Sequence, residues 1–356
     1  VSPITRRDFQ SALPLPASVL ANLEPNFAAG WVDAVKIHHQ SAAFRIKVND
    51  AKERIATNLG LAPDEIEIVG EIGFGFWSAL AGLLAEPCEF TYSAIDRQLV
   101  HAFARSNQER GGANQILTPS QDGLVDYNRA RPDSVLVWQG TNREMGVEQR
   151  APSGAGNRIF ADMTTRFDPR PLPPNWDVAL WDARNFAGPE GIAILGIRSG
   201  SRWRSPIPQI DGRRLFGSYS KPLLIAAADA LELWNQRANN NRAHLEVLNL
   251  SLRRQIAQQI PKLQVVGDGA KSDPRFIALV AKDLIAEEAL RELERIGILI
   301  DAGSACSAAA LTPSHVLAAL GFGSDGHLRV TLKAEHSEDD IAALVAGLTQ
   351  VITRSN

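Results

Sequence analysis

With 356 residues, 45% of them hydrophobic, the chain is long enough for one large domain plus a smaller one and has the make-up of an ordinary folded globule. Its 37 basic and 40 acidic residues leave a net charge of -3 with no block of like charges, so no nucleic-acid or membrane-surface partner is expected. No apolar stretch approaches the ~20 residues of a membrane span, the N-terminus lacks the apolar core of a signal peptide, and the two cysteines, Cys88 and Cys306, form no disulfide framework. A cytoplasmic protein is expected, without a metal site, since the adjacent His38 and His39 diverge in either helix or strand.

Residues 1–30 carry Pro3, Pro14, Pro16 and Pro25 and read as an extended arm laid on the body. Phe44, Val48, Ala51, Ile55 and Leu59 recur at helical spacing, predicting a helix over 42–59 that Gly60 stops. A strand over 65–69, a loop with Gly70, Gly73 and Gly75, and an apolar helix over 76–85 follow. That glycine-rich entry to a helix is either an anion cradle or a purely structural turn, and it fits neither the dinucleotide nor the P-loop pattern.

Strand-like and helix-like segments then alternate over 89–93, 98–106, 114–119, 134–140, 158–163, 177–181 and 191–197. Such alternation implies a mainly parallel sheet covered on both faces, whose ligands gather beyond the carboxyl ends of its strands. The rule selects 70–75, 140–146, 162–166 and 182–185 as one candidate site. Near Pro222 the pattern changes to one or two long helices, with Leu223, Ala227, Ala230, Leu231 and Trp234 on a stripe. Short strands over 262–268, 275–282, 297–301 and 327–333, with helices over 286–296 and 337–352, describe a small α+β domain. The expected division is an arm over 1–20, a large α/β domain over 21–235 and the small domain over 236–356.

Three side chains stand out chemically. Cys306 lies among small residues before a helix expected after Pro313, and is either an accessible thiol that a helix N-terminus would help ionise or a buried inert one. Arg329 alternates with Leu328 and Val330 on a strand, placed to hold a small carboxylate or to cover the sheet edge. Asp162 ends a strand and either accepts from a protonated ring nitrogen or caps the next turn.

The stretch GSACSAAALTPSHVLAALG resembles the active-cysteine loop of the cysteine desulfurases, pyridoxal-phosphate enzymes of the class V aminotransferase group. APDEIEIVGEIGFGF, TNREMGV, FADMTT, DARNFAGPEGIAIL and HLRVTLKAEHSEDDI resemble further segments of that family in the right order, so the resemblance covers nearly the whole chain. It implies an aspartate-aminotransferase-like fold, the fold type I of pyridoxal-phosphate transferases, with a mainly parallel mixed sheet and a small α+β C-terminal domain, in a homodimer. Asp162, Asn142, Cys306 and Arg329 match the family's pocket: a ring-nitrogen partner, a cofactor contact, a sulfur acceptor and a substrate-carboxylate site. Asn185, however, takes the place of the imine-forming lysine, and an amide nitrogen is not nucleophilic. Asp96 replaces the ring-stacking histidine, Gly73 the phosphate-loop threonine, and Asp182 and Arg184 the serine and histidine of the lysine turn, while Ser220 beside Lys221 resembles a segment touching the phosphate across the dimer.

A carboxylate about 5 Å from a phosphate costs roughly 3 kcal/mol per unit of phosphate charge at an effective dielectric of ~20, part of which Arg184 would offset. The resemblance with these departures implies a divergent homologue that has lost covalent pyridoxal-phosphate chemistry, a pseudoenzyme with a regulatory or sulfur-handling role, served by a small amino-acid or carboxylate ligand or a sulfur-transfer partner protein. The alternative is an active pyridoxal-phosphate-dependent desulfurase or aminotransferase with a non-standard pocket.

Overall fold

The computed structural model describes residues 7–154, 156–209, 214–215, 218–269, 272–282, 284–303, 314–323 and 326–354. Strand β1 (Arg7–Asp8), helices α1 (Ala17–Ala29) and α2 (His39–Leu59), strand β2 (Ile66–Val69) and helix α3 (Ile72–Leu83) open the chain. Strand β3 (Glu89–Ser93), helix α4 (Gln98–Glu109) and strands β4 (Ala113–Leu117), β5 (Val135–Gln139), β6 (Arg158–Asp162), β7 (Trp176–Asp182) and β8 (Ala193–Ile197) follow. Helix α5 (Lys221–Gln259) leads to β9 (Gln264–Val266), β10 (Phe276–Ala281), α6 (Ala286–Arg295), β11 (Ile298–Leu299), β12 (Asp301–Ala302), α7 (His315–Ala319), β13 (Gly326–Thr331) and α8 (Glu338–Arg354).

Seven strands form one sheet in the order β2-β8-β7-β6-β5-β3-β4, parallel except for β8, which runs antiparallel to both neighbours. The architecture is therefore α/β with a mainly parallel mixed sheet. The alternation within strands shows why both faces are covered: Val178 and Leu180 of β7 join the core under α3, whereas Ala179 and Trp181 join the core under α2 and α5. The Trp181 indole N–H, in the interior, donates to the Pro169 carbonyl at 2.8 Å. A second, antiparallel sheet, β12-β13-β10-β9, carries its own core with α6, α8 and the C-terminal half of α5.

Three features depart from the sequence reading. Residues 17–29 are helical rather than extended: Pro16 sits at the helix N-cap, where its fixed backbone is compatible, and only Pro25 lies inside. Helix α3 begins four residues before the expected position, so Gly73 and Gly75 belong to its first turn instead of a loop. The absent side chain of Gly75 admits Leu180, whose Cδ1 would lie 2.7 Å from an added Cβ. Finally, α5 is one unbroken helix of 39 residues, about 58 Å at 1.5 Å per residue, and the boundary expected at 235/236 falls inside it. Its first half packs on the large sheet and its second on the small one. Among the described residues, no helix is long and apolar enough to cross a membrane.

Close helix approach also governs Gly82 of α3, where an added Cβ would stand 2.0 Å from Nε1 of Trp203, whose N–H donates to the Ser78 carbonyl at 2.9 Å. Gly82→Ala is expected to displace that buried indole and cost about 1–3 kcal/mol, read as a lower urea midpoint with tryptophan fluorescence as the probe.

Candidate functional site

At the carboxyl edge of the large sheet, the ends of β6 and β7 and the arm residues Ser11–Leu13 enclose a cleft of about 410 Å³. Polar side chains dominate it: Arg97, Arg143, Thr164, Thr165, Asp182, Arg184, Asn185 and Arg275. Of the four segments selected from the sequence, 140–146 reaches the cleft through Arg143, 162–166 through Thr164 and Thr165, and 182–185 through Asp182, Arg184 and Asn185, whereas 70–75 does not line it. Gly73, Asp96, Asn142, Asp162, Ser220 and Arg329 do not line the cleft.

The turn after β7 is a single 3-10 turn, Ala183–Phe186, started by Asp182, whose carboxylate accepts from the Arg184 N–H at 3.0 Å. The same carboxylate takes the Arg184 guanidinium through Nη2 at 2.8 Å and Nε at 3.1 Å, and this pairing raises the already high arginine pKa further. Asn185 at its centre donates through Nδ2 to the Arg166 carbonyl at 2.7 Å. Its Oδ1 and its backbone carbonyl both accept from Nη1 of Arg275, each at 3.1 Å.

Arg275 is the residue the sequence did not announce. Both it and Asp273 are almost fully buried and pair at 2.7 Å, while Nη2 of Arg275 also donates to the Thr165 carbonyl at 2.7 Å. The guanidinium stacks against Phe276, Phe167 and Trp234 at 4.9, 5.1 and 5.3 Å from the ring centres. A buried cation needs such a set of partners, because an unpaired one costs several kcal/mol.

Asp162 ends β6 with its carboxylate fully engaged. Oδ1 accepts from the Thr164 N–H at 3.0 Å and its hydroxyl at 2.5 Å, and Oδ2 accepts from Nε of Arg97 at 3.1 Å. Arg97 also donates to the Thr164 and Thr165 hydroxyls and lies over the Phe76 ring at 5.4 Å. Arg97, and not Asp96, is therefore the residue of that segment that enters the cleft. The Asp96 side chain turns inward, 1% exposed, to accept from the Ser93 N–H at 2.7 Å, and Oδ1 has no partner among the described residues. Burial, reinforced by the Asp162 charge, raises its pKa well above the usual carboxylate range.

A parallel one-residue shift holds at 141–146. Asn142 is spent on its own turn, with Nδ2 donating to Ile95 O and Gln139 Oε1 at 3.0 Å each and Oδ1 accepting from the Glu144 and Met145 N–H groups. Arg143 faces the cleft instead. The N-terminus of α3, read as a possible anion cradle, is filled by the chain itself: the Glu71 carboxylate accepts from the Gly73 and Phe74 N–H groups, both at 2.7 Å. Ser220 caps α5 by accepting from the Leu223 N–H, and Lys221 is the first residue of that helix, outside the cleft lining.

Arg329, 7% exposed on β13, pairs with Asp301 at 3.2 Å, and Asp301 also accepts from the Ser11 N–H. On the same face of β13, burial and the neighbouring Arg329 charge lower the pKa of His327 to about 4. Cys306 lies outside the described residues, in 304–313. The segment resumes at Ser314, whose hydroxyl bonds Glu144 and caps α7, and at His315, whose Nε2 reaches the Asp96 carbonyl at 2.7 Å.

Comparison with known proteins agrees with this fold. Residues 209–344 match the family model "Aminotransferase class-V". A cysteine desulfurase of Klebsiella pneumoniae is 29% identical over 94% of the chain and 89% of its own length, and cysteine desulfurase IscS of Dictyoglomus turgidum is 23% identical over 98% and 94%. Among solved structures, a "NifS-like protein" superposes with a TM-score of 0.86 at 17% identity, covering 98% of this chain and 100% of that one. The apo structure of a cysteine desulfurase from Thermococcus onnurineus superposes at 0.85 and 12%, covering 98% and 95%, and both establish the shared fold.

Two outcomes follow from the charges at this edge. Because the native Asp96 carboxyl holds its proton more tightly than in the unfolded chain, wild-type stability falls as pH rises from about 4 toward the raised native pKa. Asp96→Asn, which keeps an acceptor for Ser93, is expected to gain stability relative to wild type at pH 8 and little at pH 4, measured by urea unfolding at both. Arg275→Met strands the Asp273 carboxylate and is expected to cost about 3–5 kcal/mol, measured by the same unfolding assay, with the double variant carrying Asp273→Asn recovering part of the loss.

Proposed function

The chain belongs to the cysteine desulfurase family within the class V aminotransferases, and from that membership we propose that it is a divergent member that has given up covalent pyridoxal-phosphate chemistry. The observation that carries this reading is Asn185, an amide held on both sides, by the Arg166 carbonyl and by Arg275. Free pyridoxal phosphate needs a nucleophilic amine to be captured as an imine. A lysine in that place would face the Arg275 guanidinium, cation against cation.

Two further contacts support the reading that these residues do not fit the cofactor. Asp162, the partner for a protonated ring nitrogen, already holds Arg97 and Thr164. The N–H groups suited to a phosphate hold the Glu71 carboxylate, which would repel one by roughly 3 kcal/mol per unit charge at 5 Å and an effective dielectric of ~20.

The role proposed is regulatory or sulfur-handling, in a cytoplasmic homodimer, with 21–235 and 236–356 as its two domains. Cys306 accepts sulfur in this reading: its thiolate attacks the outer sulfur of a donor protein's persulfide, the donor leaves as a thiol, and Cys306 carries the persulfide without any oxidant or reductant. Arg329, whose ion-pair partner among the described residues is Asp301, is the proposed carboxylate contact for a small amino-acid ligand.

Absorbance of the purified protein soaked in pyridoxal phosphate, followed by borohydride and mass spectrometry, tests the loss of chemistry. The expected result is no imine band and no reduced adduct; an adduct on Lys221 or any other lysine overturns it. The rival reading, an active desulfurase with a non-standard pocket, draws on Asp162 and Arg329 and requires sulfide release from cysteine that Cys306→Ala abolishes.

A further inference from the structure

Beside the cleft, and sharing Arg275, Leu13 and Leu15 with it, lies a second pocket of about 220 Å³. One face of α5 lines it, through Ala230, Leu233, Trp234, Arg237, Asn241 and Leu245, whose spacings of three and four residues put them on one stripe. The arm segment 13–16, with two prolines, forms a second wall, and Leu332 with 333–335 a third. Phe167 and Phe186 complete an apolar, aromatic interior. Trp234 spends its indole N–H on the Phe167 carbonyl at 2.9 Å, and its ring, 5.3 Å from the Arg275 guanidinium, also lines the pocket.

The polar groups of this pocket are not equivalent. Of the three cations in the lining, Arg275 is consumed by Asp273 and Asn185, and Lys333 is held by Asp8 at 2.9 Å. Arg237 and Asn241, one helical turn apart on the same face, have no hydrogen-bond or ion-pair partner among the described residues. A planar guanidinium backed by a carboxamide recognises a carboxylate, bidentately in the best geometry. The apolar interior exceeds the ~150 Å³ at which an engineered cavity takes up benzene, so it has room for a ring and a short chain.

We propose that this pocket is a binding site for a small carboxylate with an apolar body, its ring or alkyl chain against Trp234, Phe167 and Leu245 and its carboxylate on Arg237 and Asn241. The site is independent of the fate of pyridoxal phosphate in the neighbouring cleft. Glu335 stands in the same lining and offers a partner to an α-ammonium group, so the same chemistry is supplied by a hydrophobic amino acid or by its deaminated acid.

The test uses the full chain with 3-phenylpropionate, phenylalanine and 3-phenylpropanol as probes, read by calorimetry and by saturation transfer in ligand NMR. Saturable binding of one carboxylate per chain is expected, at least about tenfold tighter than the alcohol, with the tenfold advantage erased in Arg237→Met. Arg237 is exposed, so that variant retains its circular dichroism, and Leu233→Trp, which fills the pocket, abolishes binding of all three probes. Tighter binding of phenylalanine than of phenylpropionate that Glu335→Gln removes identifies the amino-acid source; equal binding of the two identifies the simple acid. Absence of saturable binding, or equal affinities for wild type and Arg237→Met, overturns the proposal.

Discussion

A guanidinium buried where two sheets meet has to find a hydrogen-bond acceptor for nearly every N–H, and Arg275 organises its surroundings to that end. Asp273 supplies the countercharge from two residues away, Thr165 contributes a carbonyl from the loop after β6, and Asn185 contributes two oxygens from the turn after β7. Phe167, Trp234 and Phe276 enclose the flat faces of the ion. Strand β10 of the small sheet begins at residue 276, so this one side chain ties the start of that strand to the carboxyl edge of the large sheet. It also favours an acceptor over a cation at residue 185, since a buried guanidinium at that distance is satisfied by an oxygen and repelled by an ammonium.

The rest of the carboxyl edge follows the same economy. Arg97 answers Asp162, Arg184 answers Asp182, and Glu71 answers the free N–H groups of α3. These charged groups are met from within the chain, so the cleft is rich in charge while its main ionic groups are already matched. Such internal matching holds the loops in one arrangement and removes the unsatisfied donors and acceptors that draw a ligand into an apolar-walled site. The neighbouring pocket is built the other way, with Arg237 and Asn241 unpaired among the described residues beside aromatic walls.

Much of the fold was legible before any coordinates. Continuous apolar runs in 177–181 and 191–197 marked strands covered on both faces, and helical spacing from Phe44 to Leu59 located α2 to within a few residues. The failures have a common cause. Pro16 and Pro25 suggested an extended arm because local preference was weighed without the packing of Val19 against the core that makes α1 worthwhile. At residues 96/97 and 142/143 the right segments were chosen and the wrong member of each pair was placed in the cleft, because a turn decides which of two successive side chains faces inward.

Hydrophobic periodicity and the order of motifs belong to the chain itself, and they were enough for the α/β class, the family resemblance and the absence of a lysine at 185, while the choice between one and two helices after Pro222 waited for the structure. Which groups answer one another is different in kind. Arg275 and Asn185 stand 90 residues apart, and Arg97 and Asp162 stand 65 apart, so no spacing rule links them. Only the closure of the sheets brings those pairs within hydrogen-bond range, because the free energy that selects each partner is the cost of leaving a charge buried and alone, a cost that does not exist until the surrounding chain has excluded water.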